Sequence, residues 1–371
     1  MTKLPDRNLP SARIMSIDAL RGFDMFWIIG GDTFMRSLLA FTGSQSLQVF
    51  GNQFEHSSWN GFTFDDLIFP LFLFIVGVVM PFSLTKRLER GDNKIEIYKH
   101  IFVRSLFLFI FGLLYNDLLS LKFTEMRYAG VLQRIALCYF FSAVIVMNTK
   151  IRGQAILTVC ILVFYFIVMK FIPVPGLGAG VLTPDGNLAS YIDRHFLPGS
   201  FCCFEFGDNE GILSTISAVA TTLLGVLTGH WLRCKSPIRK KTPALLAAGV
   251  LSIILALIWN IIFPINKLIW SSSYVLFAGG LSMILTAFFY WIIDVKGYHK
   301  WAFPFIVIGL NPITIYLAQR FFSFNELTNS FVHGIVNNMS DFKPVFLIIC
   351  VIAVKWLFLY FLYRHKIFFK V

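Results

Sequence analysis

The chain has 371 residues, 57% of them hydrophobic and only 14% charged, with a mean hydropathy of +0.71. A soluble domain carries roughly 25% charged residues, so this composition excludes a water-soluble fold and points to a polytopic membrane protein. The formal charge of +12 would suit a nucleic acid, but the cations sit in short loops, where membrane topology and anionic headgroups account for them.

Crossing a hydrocarbon core of roughly 30 Å takes about 20 apolar residues. Stretches of that kind fall at 17–36, 64–85, 101–119, 128–148, 154–172, 209–232, 243–263, 271–294, 301–320 and 344–363. They predict an all-α bundle of about ten transmembrane helices in one domain over 1–371, with no soluble domain and no repeat of solenoid period. The loops on the N-terminal side hold 22 lysines and arginines and the opposite loops 8. This excess places both termini in the cytoplasm by the positive-inside rule.

The first segment, SIDALRGFDMFWIIGGD, carries Asp18, Arg21, Asp24 and Asp32. Its apolar core is interrupted and no small-residue cleavage site follows, so it is expected to stay in place and not to be removed as a signal peptide. At about 1.5 Å of rise per residue, Asp32 lies roughly 16 Å further out than Arg21. Next comes FEHSSWNGFTFDDLIFPLFLFIVG at 54–77, with His56, Asn60, Asp65 and Asp66 directly before an apolar run. Titratable groups at the lip of a membrane helix are costly unless they act on something that arrives there. Trp59 reads as part of an aromatic belt.

The fourth segment enters through RYAGVLQRIALCYF, which puts Gln133 and Arg134 in the outer half. Residues 173–208 begin PVPGLGAG and read as ordered coil over the external mouth, with Cys202 and Cys203 as free thiols or, alternatively, a vicinal disulfide. Asp208 and Glu210 follow at the start of the sixth segment. In the ninth, Asn311 and Pro312 fall near mid-membrane, where a proline frees a backbone carbonyl.

Intramembrane charges need partners or a wet cavity. Asp32, His56, Asp65, Asp66, Arg134, Asp208 and Glu210 are therefore expected to converge on one external-side cavity; the alternative is that Arg134 pairs with an acid merely to hold helices together. Of the seven histidines, only His56 is expected beside that cavity, as a catalytic group or as an interfacial residue bonded to loop backbone. The paired His or Cys spacing of a zinc site is missing, so no metal is expected.

In order along the chain, SIDALRG, HSSWNGFTFDDLIFPLFLFIVG, RYAGVLQRIALCYF, YIDR followed by DNEGILSTI, PINKLIWSSSYV and GLNPITIY resemble the motifs of the heparan-α-glucosaminide N-acetyltransferase family and its bacterial relatives. The resemblance runs from about residue 13 to about 320 and looks like the bare membrane core, without the family's luminal extension. It implies an acetyl-CoA-dependent acyltransferase of the bacterial inner membrane, acting from cytoplasmic acetyl-CoA on an external glucosamine-type amino sugar, and a homodimer. The family's catalytic histidine falls on His56. Its active-site asparagine falls on Asp32, a departure that leaves the role of Asp32 open.

On this reading His56 is the general base and Asp32 attracts the ammonium group or orients the imidazole; an acetyl-histidine intermediate is the competing mechanism. Asn60, Asp65, Asp66, Asp208 and Glu210 would bind the sugar. Arg21 and Arg104 would hold CoA phosphates, with Gln133, Arg134 and Asn311 along the donor's path. Asn60, Gln133 or Asn311 would donate to the oxyanion. A membrane transporter or flippase for a sugar or glycolipid is the alternative function.

Overall fold

The structure is a computed structural model that describes residues 14–43, 49–336, 339 and 341–369. The first apolar segment gives two helices, α1 (Met15–Phe26) and α2 (Asp32–Thr42), joined through a wide turn at Trp27–Gly31. Gly30 makes that break with φ 140° and ψ 2°, a conformation a side chain would strain. Breaking a helix in hydrocarbon orphans a carbonyl, and here the Lys355 ammonium donates to the Ile29 carbonyl at 2.7 Å and to Gln319 at 3.3 Å. The intramembrane lysine thus braces the break.

After the His56 loop come α3 (Asp65–Glu89), α4 (Lys94–Tyr115), α5 (Val131–Asn148) and α6 (Ile151–Phe171). The connection that follows contains α7 (Leu188–Phe196) and a hairpin of two-residue strands, β1 (Cys203–Phe204) and β2 (Gly207–Asp208). Then follow α8 (Ile212–Arg233), α9 (Ile238–Asn260), α10 (Ser272–Val295), α11 (Phe303–Leu310), α12 (Pro312–Phe321), α13 (Phe324–Val336) and α14 (Lys343–Arg364).

Among the described residues, eight helices are long and apolar enough to cross a membrane: α3, α4, α5, α6, α8, α9, α10 and α14. The pair α11–α12, bent by 62° at Asn311, passes the same test only together, as a broken span or a re-entrant loop. The Asn311 side chain donates to the Ile367 carbonyl at 3.0 Å and accepts from the Phe369 amide at 3.1 Å. The chain after α14 therefore folds back onto the break, and Asn311 ties down that tail.

Burial sorts centre from rim. The apolar stretches of α3 and α8 are 72% and 83% buried, that of α14 only 22%, so α3 and α8 form the axis. They cross backbone to backbone because Gly77 on α3 faces Thr222, and Gly225 and Gly229 on α8 face Phe74 and Val78. A methyl at Gly77 would stand 1.9 Å from the Thr222 carbonyl oxygen, and one at Gly225 2.0 Å from that of Phe74. Without a hydrophobic drive between helices in lipid, close approach through small-xxx-small stripes supplies the packing.

Candidate active site

The His56 loop is clamped at both ends by rings. Trp27, in the wide turn after α1, stacks on Phe54 at 5.5 Å and meets Phe64 edge-on at 4.8 Å. Between these rings the loop is tied to the first turn of α3 by Asp66, whose side chain is fully buried. Asp66 Oδ2 accepts from the Ser57 hydroxyl at 2.8 Å and from the backbone amides of Ser57 at 3.3 Å and Thr63 at 3.1 Å. The Thr63 bond ties the chain just before α3 to the first turn of that helix, so this carboxylate shapes the loop as well as facing its histidine.

The other carboxylate oxygen, Oδ1, lies 3.1 Å from His56 Nδ1, and Asp65 Oδ2 lies 2.8 Å from the same nitrogen. A second loop closes on the first from the α9–α10 link. Gly61 donates its amide to the Ile265 carbonyl at 2.9 Å, Asn266 donates to the Asn60 side-chain oxygen at 3.1 Å, and the Tyr274 hydroxyl donates to the Asp66 carbonyl at 2.7 Å. This register delivers Lys267, whose Nζ is 3.3 Å from Asp66 Oδ1, 3.0 Å from His56 Nδ1 and 3.3 Å from Nε2.

Proximity to both ring nitrogens fixes where the ammonium sits. In the ring plane, an atom this near both would overlap the Cε1 carbon between them, so Nζ lies over the face of the imidazole. Lys267 is then no in-plane donor to Nδ1. The two carboxylates accept from Nδ1–H, and among the described residues Nε2 has no carboxylate partner. The His56 side chain is 51% exposed, which gives that nitrogen access to an incoming molecule.

His56 is raised from 6.5 to about 9, first by its hydrogen bonds to Asp65 and Asp66, against the opposing effects of burial and the Lys267 charge. The neutral ring expected at neutral pH is therefore the minor form at rest. As a base the ring is correspondingly stronger.

The other expected site residues do not join this cluster. Asp32 is bound to Arg36 at 2.9 Å and to Thr33. Asp208 and Glu210 are both held by Arg127, with its Nε 2.7 Å from Asp208 Oδ2. Among the described residues Arg134 makes no direct ion pair, contrary to the ion-pair alternative: it donates to Thr215, Ser214 and the Gly211 carbonyl, with its guanidinium 4.8 Å over the Trp270 ring. The single cavity drawn from the sequence is thus corrected to separate clusters. Similar depth along different helices does not set which way each side chain faces.

Of the residues expected to hold the donor, Arg21 approaches Asp18 at 3.5 Å and donates to the Gly309 carbonyl, and Arg104 lies over Tyr139 at 4.6 Å. Asn311 holds the C-terminal tail. Gln133 and Arg134 line a cavity of about 530 Å³ between α4, α5, α6 and α8, to which neither His56 nor Lys267 contributes. These five residues do not form one site. Cys202 and Cys203 are free thiols with their sulfurs 2.6 Å apart.

Sequence reasoning passed over Lys267 and Arg127, counting both as flanking cations. For Lys267 a signal was present: it stands in PINKLIW, a short link between two apolar segments, and within a motif already recognised.

Fold and site define a polytopic helical membrane protein with a carboxylate-flanked histidine at one end of its bundle. Residues 13–191 match the family described as heparan-alpha-glucosaminide N-acetyltransferase, catalytic. The chain is 30% identical over 400 residues to the heparan-alpha-glucosaminide N-acetyltransferase of Homo sapiens, covering 91% of the chain and 60% of that protein. Against the Mus musculus enzyme it is 29% identical over 373 residues, covering 86% of the chain and 56% of that protein. The chain is a relative of the heparan-alpha-glucosaminide N-acetyltransferases, and it spans 60% and 56% of the length of these two.

Proposed function

We propose that this protein is a transmembrane N-acetyltransferase that moves the acetyl group of cytoplasmic acetyl-CoA to the amino group of a glucosamine-type sugar on the far side of the membrane. The observation that carries the reading is His56 Nδ1 held between Asp65 at 2.8 Å and Asp66 at 3.1 Å with Lys267 over the ring. An amine must lose its proton before it attacks a thioester carbonyl, and a carboxylate-oriented imidazole is built for that step.

Asp65 and Asp66 fix the Nδ1–H tautomer and stabilise the imidazolium once Nε2 has taken the amine's proton, which it returns to the departing CoA sulfur as the C–N bond forms and the C–S bond breaks. Asp65, the more exposed acid of the two at 22% against 0%, also attracts the acceptor's ammonium. Lys267 supplies positive charge beside the reacting atoms, where the carbonyl oxygen becomes negative. It takes the oxyanion role over from Gln133 and Asn311, which lie elsewhere. No site for the donor's phosphates is built from Arg21, Arg104, Gln133, Arg134 and Asn311, because they lie apart.

The first segment makes a tenth crossing, with its break at Gly30 beside the His56 loop. Both termini are cytoplasmic, the membrane is the bacterial inner membrane, and the protein works as a homodimer.

The test is turnover by the purified full chain with acetyl-CoA and glucosamine or a glucosaminide. N-acetylated product is expected from the wild type and none above background from His56→Ala of equal thermal stability. Full turnover by His56→Ala would remove that residue from the chemistry. Absence of product, together with sugar uptake into proteoliposomes lacking acetyl-CoA, would overturn the enzyme reading.

A further inference from the structure

The cavity beside α5 has no part in the chemistry assigned to His56. Its wall on α5 runs Gln133, Leu137, Phe141, Ile145, one residue per turn, a stripe of about 18 Å. The facing wall includes Ile216 and Val219 of α8. Phe141 is 49% exposed and Ile216 37%. On a bundle surrounded by lipid, this makes the cavity a groove open sideways to hydrocarbon.

Its polar end is unusual in charge. Arg134 and Gln133 are 1% and 3% exposed, yet Arg134 Nη1 and Gln133 Nε2 have no hydrogen-bond partner among the described residues. The guanidinium hydrogen-bonds only neutral acceptors and lies over the Trp270 face; the nearby buried acid, Asp193, feels its charge but spends its oxygens on the Asp208 and Ile212 amides. The one acid lining the groove, Glu210, is taken by Arg127. A buried cation with no acid in direct contact and two unmet donors are costly in such a setting. A bound water would satisfy the donors but not the charge.

We propose that this groove binds an anionic phospholipid, whose headgroup carries no cation of its own, with the phosphate at Arg134 and Gln133 and one hydrocarbon chain along Leu137, Phe141 and Ile145. Gln133 and Arg134 stand in the first turn of α5, so the head lies at the level where that helix enters the bilayer and the chain runs inward, as it does in a leaflet. Trp270 separates Arg134 from the histidine cluster, and Lys267 is three residues before it. If the acetyl-transfer reading holds, an amino sugar carried on such a lipid would be presented beside His56.

Lipid binding is read separately from turnover. The full chain, exchanged into nanodiscs or mixed micelles of phosphatidylglycerol or phosphatidylcholine, is analysed by native mass spectrometry for lipid retained after the belt is stripped. The wild type is expected to retain phosphatidylglycerol at least about tenfold over phosphatidylcholine. Arg134→Gln removes the charge and Leu137→Trp fills the groove without touching it; both should abolish the preference. Equal retention of the two lipids by the wild type, or an unchanged preference in the two folded variants, overturns the proposal. A wild type that keeps the lipid but makes no N-acetyl product retains the groove and sinks the enzyme reading alone.

Discussion

At the scale of residues, the site is a balance of three charges around one ring. Two carboxylates draw His56 up to about 9 while Lys267 pulls it down. For a base that must be neutral to act, the raised value sets the sign of the pH dependence: kcat/KM is expected to rise about tenfold per pH unit up to about pH 9 and level off above it. A rate that falls over that range would make His56 an acid and overturn its role. Lys267→Met removes the opposing charge, so the ascending limb should move to higher pH and the rate drop by about 10²–10³-fold. Lys267→Arg should restore part of both, which a merely structural lysine would not require. His56, Asp65 and Asp66 were legible because they are neighbours in one stretch of chain. Lys267 was not, since its partnership depends on a loop more than 200 residues away closing through Asn266 and Ile265.

At the scale of elements, hydropathy finds the apolar stretches but not how they bend. The first segment reads as continuous because Ile28, Ile29 and their neighbours are apolar, whereas the break depends on the positive φ of Gly30 and on a lysine from α14 that satisfies the freed carbonyl. Periodicity likewise fails on α3, whose apolar stretch is buried on nearly all sides and shows no polar face, and on α8, where burial extends well beyond the side marked by Ser214, Ser217 and Thr221. Their crossing is carried by glycine. Gly225→Val should therefore destabilise the bundle by about 1–3 kcal/mol or prevent its assembly, seen as a lowered thermal midpoint in detergent. Gly334→Val, where an added Cβ meets nothing within 4 Å, should leave the midpoint nearly unchanged. Equal midpoints for both variants would remove the α3–α8 contact as the axis of the fold.

At the scale of the whole molecule, the proposed chemistry depends on which compartment each end of the bundle faces. The cysteines provide markers for both ends. Cys202 and Cys203 lie on the hairpin before α8, whose Phe204 packs at 5.6 Å on Trp59 of the His56 loop, and Cys234 follows the far end of the same helix. The hydrogen bond with Cys203 and then the Arg127 charge lower Cys202, which favours its reactive thiolate. With a tenth crossing and cytoplasmic termini, a membrane-impermeant maleimide applied to intact cells after mild reduction should label the Cys202–Cys203 pair, and Cys234 only after the membrane is opened. The reverse pattern would put His56 on the same side as cytoplasmic acetyl-CoA. The imidazole cluster would survive that result, but the acetyl group would then have no membrane to cross, and the transmembrane part of the proposal would fail while the acyl-transfer part stood.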